Sequence, residues 1–239
     1  MTRQDLTVDG RTTSLHFLPP DGPPAAGVVV LHPWWGLNDD VMAYCRRLAD
    51  AGFAVAAPDL YEGRLASTVE EADRFSASLD EDAADAYALA AVDALAEALD
   101  PSARLGALGF SMGAPWALWL PAHRPVTASV VYYGTTVGPS LSRATTPVLG
   151  HFAQEDEYEP EEAVAALETA LRDAGRAVEL YRYPGTGHWF AEPSRDAYVA
   201  DASELAFDRT VAFLERELGP GSRASGSSGR PANPRMSEG

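Results

Sequence analysis

The chain of 239 residues contains no lysine, so all 18 basic side chains are arginine. That absence excludes Schiff-base chemistry and a lysine general base. Cysteine occurs once, at Cys45, which excludes an intrachain disulfide and a cysteine cluster for zinc. No apolar run approaches the length of a membrane span. Residues 1–5 lead directly into an alternating strand pattern rather than a signal h-region. Basic residues are also scarce relative to the 35 acidic ones, giving a formal net charge of −17. This balance speaks against nucleic acid or an anionic membrane as partner, because phosphates must be met by basic side chains. The acidity reads most simply as solubility. A soluble cytoplasmic protein is the expectation.

Apolar content is that of an ordinary globular protein, and the length suits one α/β domain. Residues 6–8 and 13–18 alternate around Asp9-Gly10, which predicts an opening hairpin. Short apolar runs follow at 28–31, 53–57, 105–108, 129–133, 148–152 and 178–183. Most are continuous rather than alternating, as expected of strands buried on both faces of a parallel sheet. Helical spacing separates them. Ala88, Val92, Leu95 and Leu99 recur at three and four, as do Val164, Leu167 and Leu171, and then Phe207, Val211, Leu214 and Leu218. Pro160-Glu161-Glu162 and Gly175 bound the second of these helices. Strands alternating with helices predict a mostly parallel, doubly wound α/β sheet flanked by helices.

The composition changes at the C-terminus. Residues 219–239 are rich in Gly, Ser and Pro and carry almost no apolar surface. Such a segment cannot offset about 1–2 kcal/mol per residue of ordering entropy. The expected organisation is one domain over 1–218 and a disordered tail over 219–239. The acidic stretch from Glu70 to Asp85 contains no histidine and reads as a solvated helix face rather than a metal site.

One pentapeptide carries chemistry: Gly109-Phe110-Ser111-Met112-Gly113, between the apolar run at 105–108 and a helix-like stretch at 114–122. G-x-S-x-G between strand and helix is the nucleophile elbow of the α/β-hydrolase fold. The serine sits in a strained turn, so the residues two positions away on either side must be almost side-chain-free. A serine hydroxyl needs a base, and the base needs an anion to fix its tautomer. Five histidines compete. His16 and His123 read as surface residues and His151 lies within a strand, while His32 ends the first central strand and could face the site. His188 lies in a loop after the last strand. Ligand sites of open α/β sheets lie at the carboxyl ends of the strands, which favours His188 over His32. For the anion, Asp156 follows the strand at 148–152, with Glu155 and Glu157 as rivals. Two oxyanion donors are expected, the N–H of Met112 and one from the loop 32–36, where Trp34 is the candidate.

Five segments together resemble the dienelactone hydrolase family: 28–38 (VVVLHPWWGLN), 58–61 (PDLY), 109–113 (GFSMG), 151–156 (HFAQED) and 183–188 (YPGTGH). They occur in the family's order and span most of residues 5–217. The resemblance implies an α/β-hydrolase fold, a triad of Ser111, Asp156 and His188, and oxyanion donors at Trp34 and Met112. Two departures stand out. The best-known members use a cysteine nucleophile, where this chain has Ser111. They also carry a glutamate in the first loop that interacts with the resting thiol, where this chain has Pro33. The changes fit each other, since a hydroxyl is not activated by that route.

The combined reading is a serine hydrolase of carboxylic esters or lactones that needs neither metal nor organic cofactor. Trp35 and Trp189 are expected to line an apolar, partly aromatic pocket. The family holds a substrate carboxylate with arginine and tyrosine side chains; Arg74 lies in the corresponding region, with Arg64 and Arg143 as alternatives. Acyl transfer to another acceptor, or a hydrolase-fold binding protein with little turnover, are the alternative functions. The acidic field opposes anionic substrates at long range unless a local arginine outweighs it.

Overall fold

Asp9 and Gly10 both take positive φ, 51° and 80°, as the two central residues of a tight hairpin turn require. They join β1 (Thr2–Val8) to β2 (Arg11–Leu18) in antiparallel register, with Val8 opposite Arg11. The computed structural model describes residues 1–138 and 140–219. The tail expected to be disordered thus lies, from residue 220 onward, outside the described residues.

Six further strands complete one sheet: β3 (Ala26–Leu31), β4 (Ala54–Pro58), β5 (Arg104–Phe110), β6 (Val126–Tyr132), β7 (Val148–Ala153) and β8 (Val178–Tyr183). Their order is β1-β2-β4-β3-β5-β6-β7-β8. β2 pairs antiparallel with β4, and every neighbour pair from β4 through β8 is parallel. The continuous apolar runs have the expected cause. Successive side chains of β3 point to opposite faces. Val28 and Val30 pack towards α1 (Asp39–Asp50) and α6 (Ala200–Leu218). Val29 and Leu31 pack towards α3 (Glu81–Glu97), α4 (Ala114–Trp119) and α5 (Glu161–Asp173). Each fully buried Val or Leu contributes roughly 1.5–3 kcal/mol, so both faces must be apolar.

Helix ends follow local chemistry. Asn38 caps α1 by accepting from the Val41 N–H, and Asp80 caps α3 through Ala83. Thr68 caps the short α2 (Val69–Ala77) through Glu71. α6 stops at Gly219, whose φ is 96°. The stretch expected as one helix over 114–122 is divided. A 3-10 turn at Ser111–Gly113 precedes α4, and another at Leu120–Ala122 follows it. Pro121 lacks an N–H and its ring crowds the preceding turn, which ends the α-helical run. No helix among the described residues is long and apolar enough to cross a membrane.

Candidate active site

Ser111 stands at the carboxyl end of β5 with φ of 45°, a left-handed conformation that costs a non-glycine residue of the order of 1 kcal/mol or more. The chain folds back tightly around it. A Cβ on Gly109 would lie 2.2 Å from the Gly113 carbonyl oxygen, and a Cβ on Gly113 would lie 2.5 Å from that of Leu31. The glycine spacing of the pentapeptide is therefore a steric demand of this turn.

β7 and β8 deliver two more groups to the same edge of the sheet. Ser111 Oγ lies 3.0 Å from His188 Nε2. His188 Nδ1 lies 2.8 Å from Asp156 Oδ2 and 3.0 Å from Oδ1. The side chains of His188 and Asp156 are 5% and 1% exposed. Asp156 is itself fixed, since Oδ1 accepts from the N–H groups of Tyr158 and Glu159 at 2.9 and 3.0 Å. Burial raises its carboxyl, but the bond and charge of His188 and the two N–H donors outweigh it and hold the group below its ordinary value. The rivals Glu155 and Glu157 are exposed.

The other histidines have different surroundings. His32 is fully buried. Its Nε2 accepts from the Leu60 N–H, so its Nδ1–H donates to the Pro33 carbonyl, tying the end of β3 to the end of β4. Burial lowers its basicity, against the pull of Asp59 and Pro33. His151 is also buried, and burial lowers its pKa to about 3. Thr210 gives its hydroxyl proton to the Ala206 carbonyl, so it accepts from His151 Nε2–H, while Tyr183 donates to Nδ1. Both rings are fully engaged away from Ser111. His16 and His123 are half-buried rather than fully on the surface, and His123 stacks on Trp119.

A cavity of about 290 Å³ opens over Ser111 and His188. Trp34 and Met112 line it, together with Pro115, Thr136, Tyr158 and Glu159. The Met112 sulfur is drawn aside to accept from the Tyr61 hydroxyl. Trp34 stacks on Trp189 with centroids 6.1 Å apart and meets Tyr158 edge-on, and Tyr158 covers the His188 ring at 4.9 Å. Trp35 is 3% exposed and sits behind this wall, beneath the Arg195 guanidinium. Trp35 and Trp189 thus border a separate surface recess rather than the cavity over Ser111. The arginines are placed elsewhere. Arg74 lies beside Glu71 at 3.9 Å with its side chain 64% exposed. Arg64 donates to the Tyr61 carbonyl and to Ser78. Arg143 ends a 3-10 turn before β7. None of the three lines the cavity. Tyr158 and Glu159 are lining residues that motif reading passed over; their signal was their place directly after Asp156. Among the described residues no group of three or more His, Cys, Asp or Glu is arranged to hold a metal.

The same arrangement of strands recurs in known proteins. A putative dienelactone hydrolase from Klebsiella pneumoniae superposes with a TM-score of 0.79 at 22% identity, covering 90% of this chain and 98% of that one. The protein usf of Aquifex pyrophilus is 30% identical over 80% of this chain and 88% of its own length. A putative carboxymethylenebutenolidase of Methylorubrum extorquens is 28% identical over 84% and 75% respectively. The family description that matches residues 14–218, from β2 through the end of α6, is that of the dienelactone hydrolases. This chain, with serine at the elbow and its glycines pressed against backbone, belongs to the dienelactone hydrolase family.

Proposed function

We propose that the protein hydrolyses carboxylic esters or lactones through Ser111, His188 and Asp156. The observation that carries the reading is the continuous hydrogen-bond path from Ser111 Oγ through both nitrogens of His188 to Asp156, at 3.0 and 2.8 Å. Family membership and the names of the relatives support the substrate class.

In this reading the Ser111 hydroxyl attacks the carbonyl carbon and passes its proton to His188 Nε2. Asp156 keeps the other ring proton on Nδ1 and stabilises the imidazolium. The backbone N–H groups of Met112 and Trp34 receive the oxyanion, Met112 because it follows the nucleophile in the elbow. Collapse of the tetrahedral intermediate breaks the ester C–O bond, and His188 gives its proton to the leaving oxygen. Water then attacks the acyl-enzyme with His188 as base, releasing the acid and restoring Ser111. The strained serine and the close-packed glycines hold the nucleophile in place before substrate arrives, so little reorganisation is left for the reaction.

Stopped-flow hydrolysis of a 4-nitrophenyl ester tests this. A burst of nitrophenol equal to the enzyme concentration, absent in Ser111→Ala, is the expected result. Undiminished turnover by Ser111→Ala would contradict it. Product analysis with added alcohols separates hydrolysis from acyl transfer, since a transferase would form the new ester in preference to the acid.

A further inference from the structure

We infer that Glu159 makes this site select uncharged or cationic esters and lactones over those carrying a carboxylate. The inference rests on the hydrolase reading and adds the charge of the substrate to it. Glu159 lines the cavity over Ser111 and His188. Its carboxylate cannot swing away, because one oxygen accepts the Thr135 N–H and the other the Thr135 hydroxyl. These bonds keep it in the wall as a fixed acceptor. Burial raises its carboxyl above the ordinary value, with the charge of Asp156 adding to the rise and the Thr135 bonds and nearby His188 opposing it.

No cation balances it for an incoming anion. The chain has no lysine, and among the described residues His188 is the one basic side chain lining the cavity. A second cavity of about 420 Å³ continues from the first, sharing Ser76, Met112, Pro115 and Thr136 with it. It has no basic lining residue at all among those described. Its walls include Trp116, Trp119 and Val137, and Glu81 and Asp85 border it. Asp85 is held there by the Trp116 indole N–H at 2.7 Å. A substrate carboxylate entering this cleft would give up water for a few hydroxyl donors and no arginine or lysine, which is costly, and would face the Glu159 carboxylate as well. An apolar acyl or alkoxy group meets neither penalty. A quaternary ammonium group gains from both the carboxylate and the indole faces.

The test is a matched series of 4-nitrophenyl esters of pentanoate, glutarate (free distal carboxylate) and 4-(trimethylammonio)butanoate, compared by kcat/KM. The wild-type protein is expected to hydrolyse the neutral and cationic esters faster than the anionic one. Glu159→Gln keeps a partner for Thr135 and removes the charge. It should raise the anionic-to-neutral ratio about tenfold, the size of one unit charge at close range in a partly solvated site. Asp5→Asn, on the exposed edge strand β1, removes one charge outside the cleft and should leave the ratio unchanged. An anionic ester as good as the neutral one, or an unchanged ratio in Glu159→Gln, would overturn the inference. If Glu159→Gln is insoluble, the wild-type series in about 0.5 M salt decides. Exposed charges are then screened within a few ångströms, so discrimination that persists supports Glu159, and discrimination that vanishes belongs to the net charge and overturns it. Turnover of none of the three esters would instead overturn the hydrolase reading, and this inference with it.

Discussion

The backbone N–H of Glu159 donates to Oδ1 of Asp156 at 3.0 Å, while the Glu159 side chain lines the cleft above Ser111. One short loop after β7 therefore holds the Asp156 carboxylate that faces His188 and also places the Glu159 side chain in the cleft wall. The same bond, with its partner from Tyr158, leaves Asp156 little freedom to turn.

Asp156→Asn is expected to lower kcat by a factor on the order of 10⁴ without unfolding the protein, because an amide presents the wrong partner to Nδ1–H. Glu155→Gln and Glu157→Gln, at exposed positions, should leave kcat nearly unchanged. Steady-state kinetics on one ester compares the three. A mild effect at 156 would remove it from the role of orienting anion.

Gly113→Ala should destabilise the fold by at least about 3 kcal/mol, since the new Cβ would press on backbone rather than on a flexible side chain. Gly138→Ala, where nothing lies within 4 Å, should change stability little. Urea denaturation of the pair checks this. Equal tolerance at both positions would contradict the packing of the elbow.

Stability should also depend on pH through Glu192. This carboxyl is 2% exposed and accepts from the Tyr133 hydroxyl at 2.9 Å. Burial pushes it up to about 8 from 4.5, against the Tyr133 bond and the charge of Arg195. The folded state thus holds the proton more tightly than the unfolded chain. Its contribution to stability is present in full below about pH 4.5 and is lost as pH rises through about 8. Glu192→Gln removes this loss. Its melting temperature relative to wild type should climb between pH 5 and pH 8, by an amount on the order of 5 °C. A difference that does not vary with pH would contradict a proton held there.

Much of the architecture was legible because its causes are local. The runs at 28–31, 105–108 and 148–152 are continuous because β3, β5 and β7 are covered on both faces. The hairpin followed from Asp9-Gly10, and α5 from its acids after Pro160 and from Gly175, whose φ is 75°. α1 was not singled out, although Val41, Cys45 and Leu48 fall on its buried face. Strand order was not legible either. That β4 separates β2 from β3 depends on which partner each strand finds, not on its own pattern.

At the site, chain order and the elbow motif pointed to Ser111, Asp156 and His188, and the fold places Ser111 and Asp156 each within hydrogen-bond distance of the His188 ring. The substrate side was harder to read. Arg74 lies in the expected region of sequence, but α2 leaves its side chain mostly exposed beside Glu71. The partnership of Glu159 with Thr135 joins the loops after β7 and β6, and neither segment alone carries a sign of it. Spacing within a segment reports local geometry, whereas a pocket is assembled from segments far apart in the chain.

The proposed hydrolysis requires Ser111 to be an activated nucleophile. Its most direct test is treatment of the folded protein with a fluorophosphonate ester, followed by peptide mass spectrometry, with Ser111→Ala as control. One adduct is expected, on Ser111, and none in the control. A folded wild-type protein that takes up no label at Ser111, or that is labelled equally in Ser111→Ala, would contradict it.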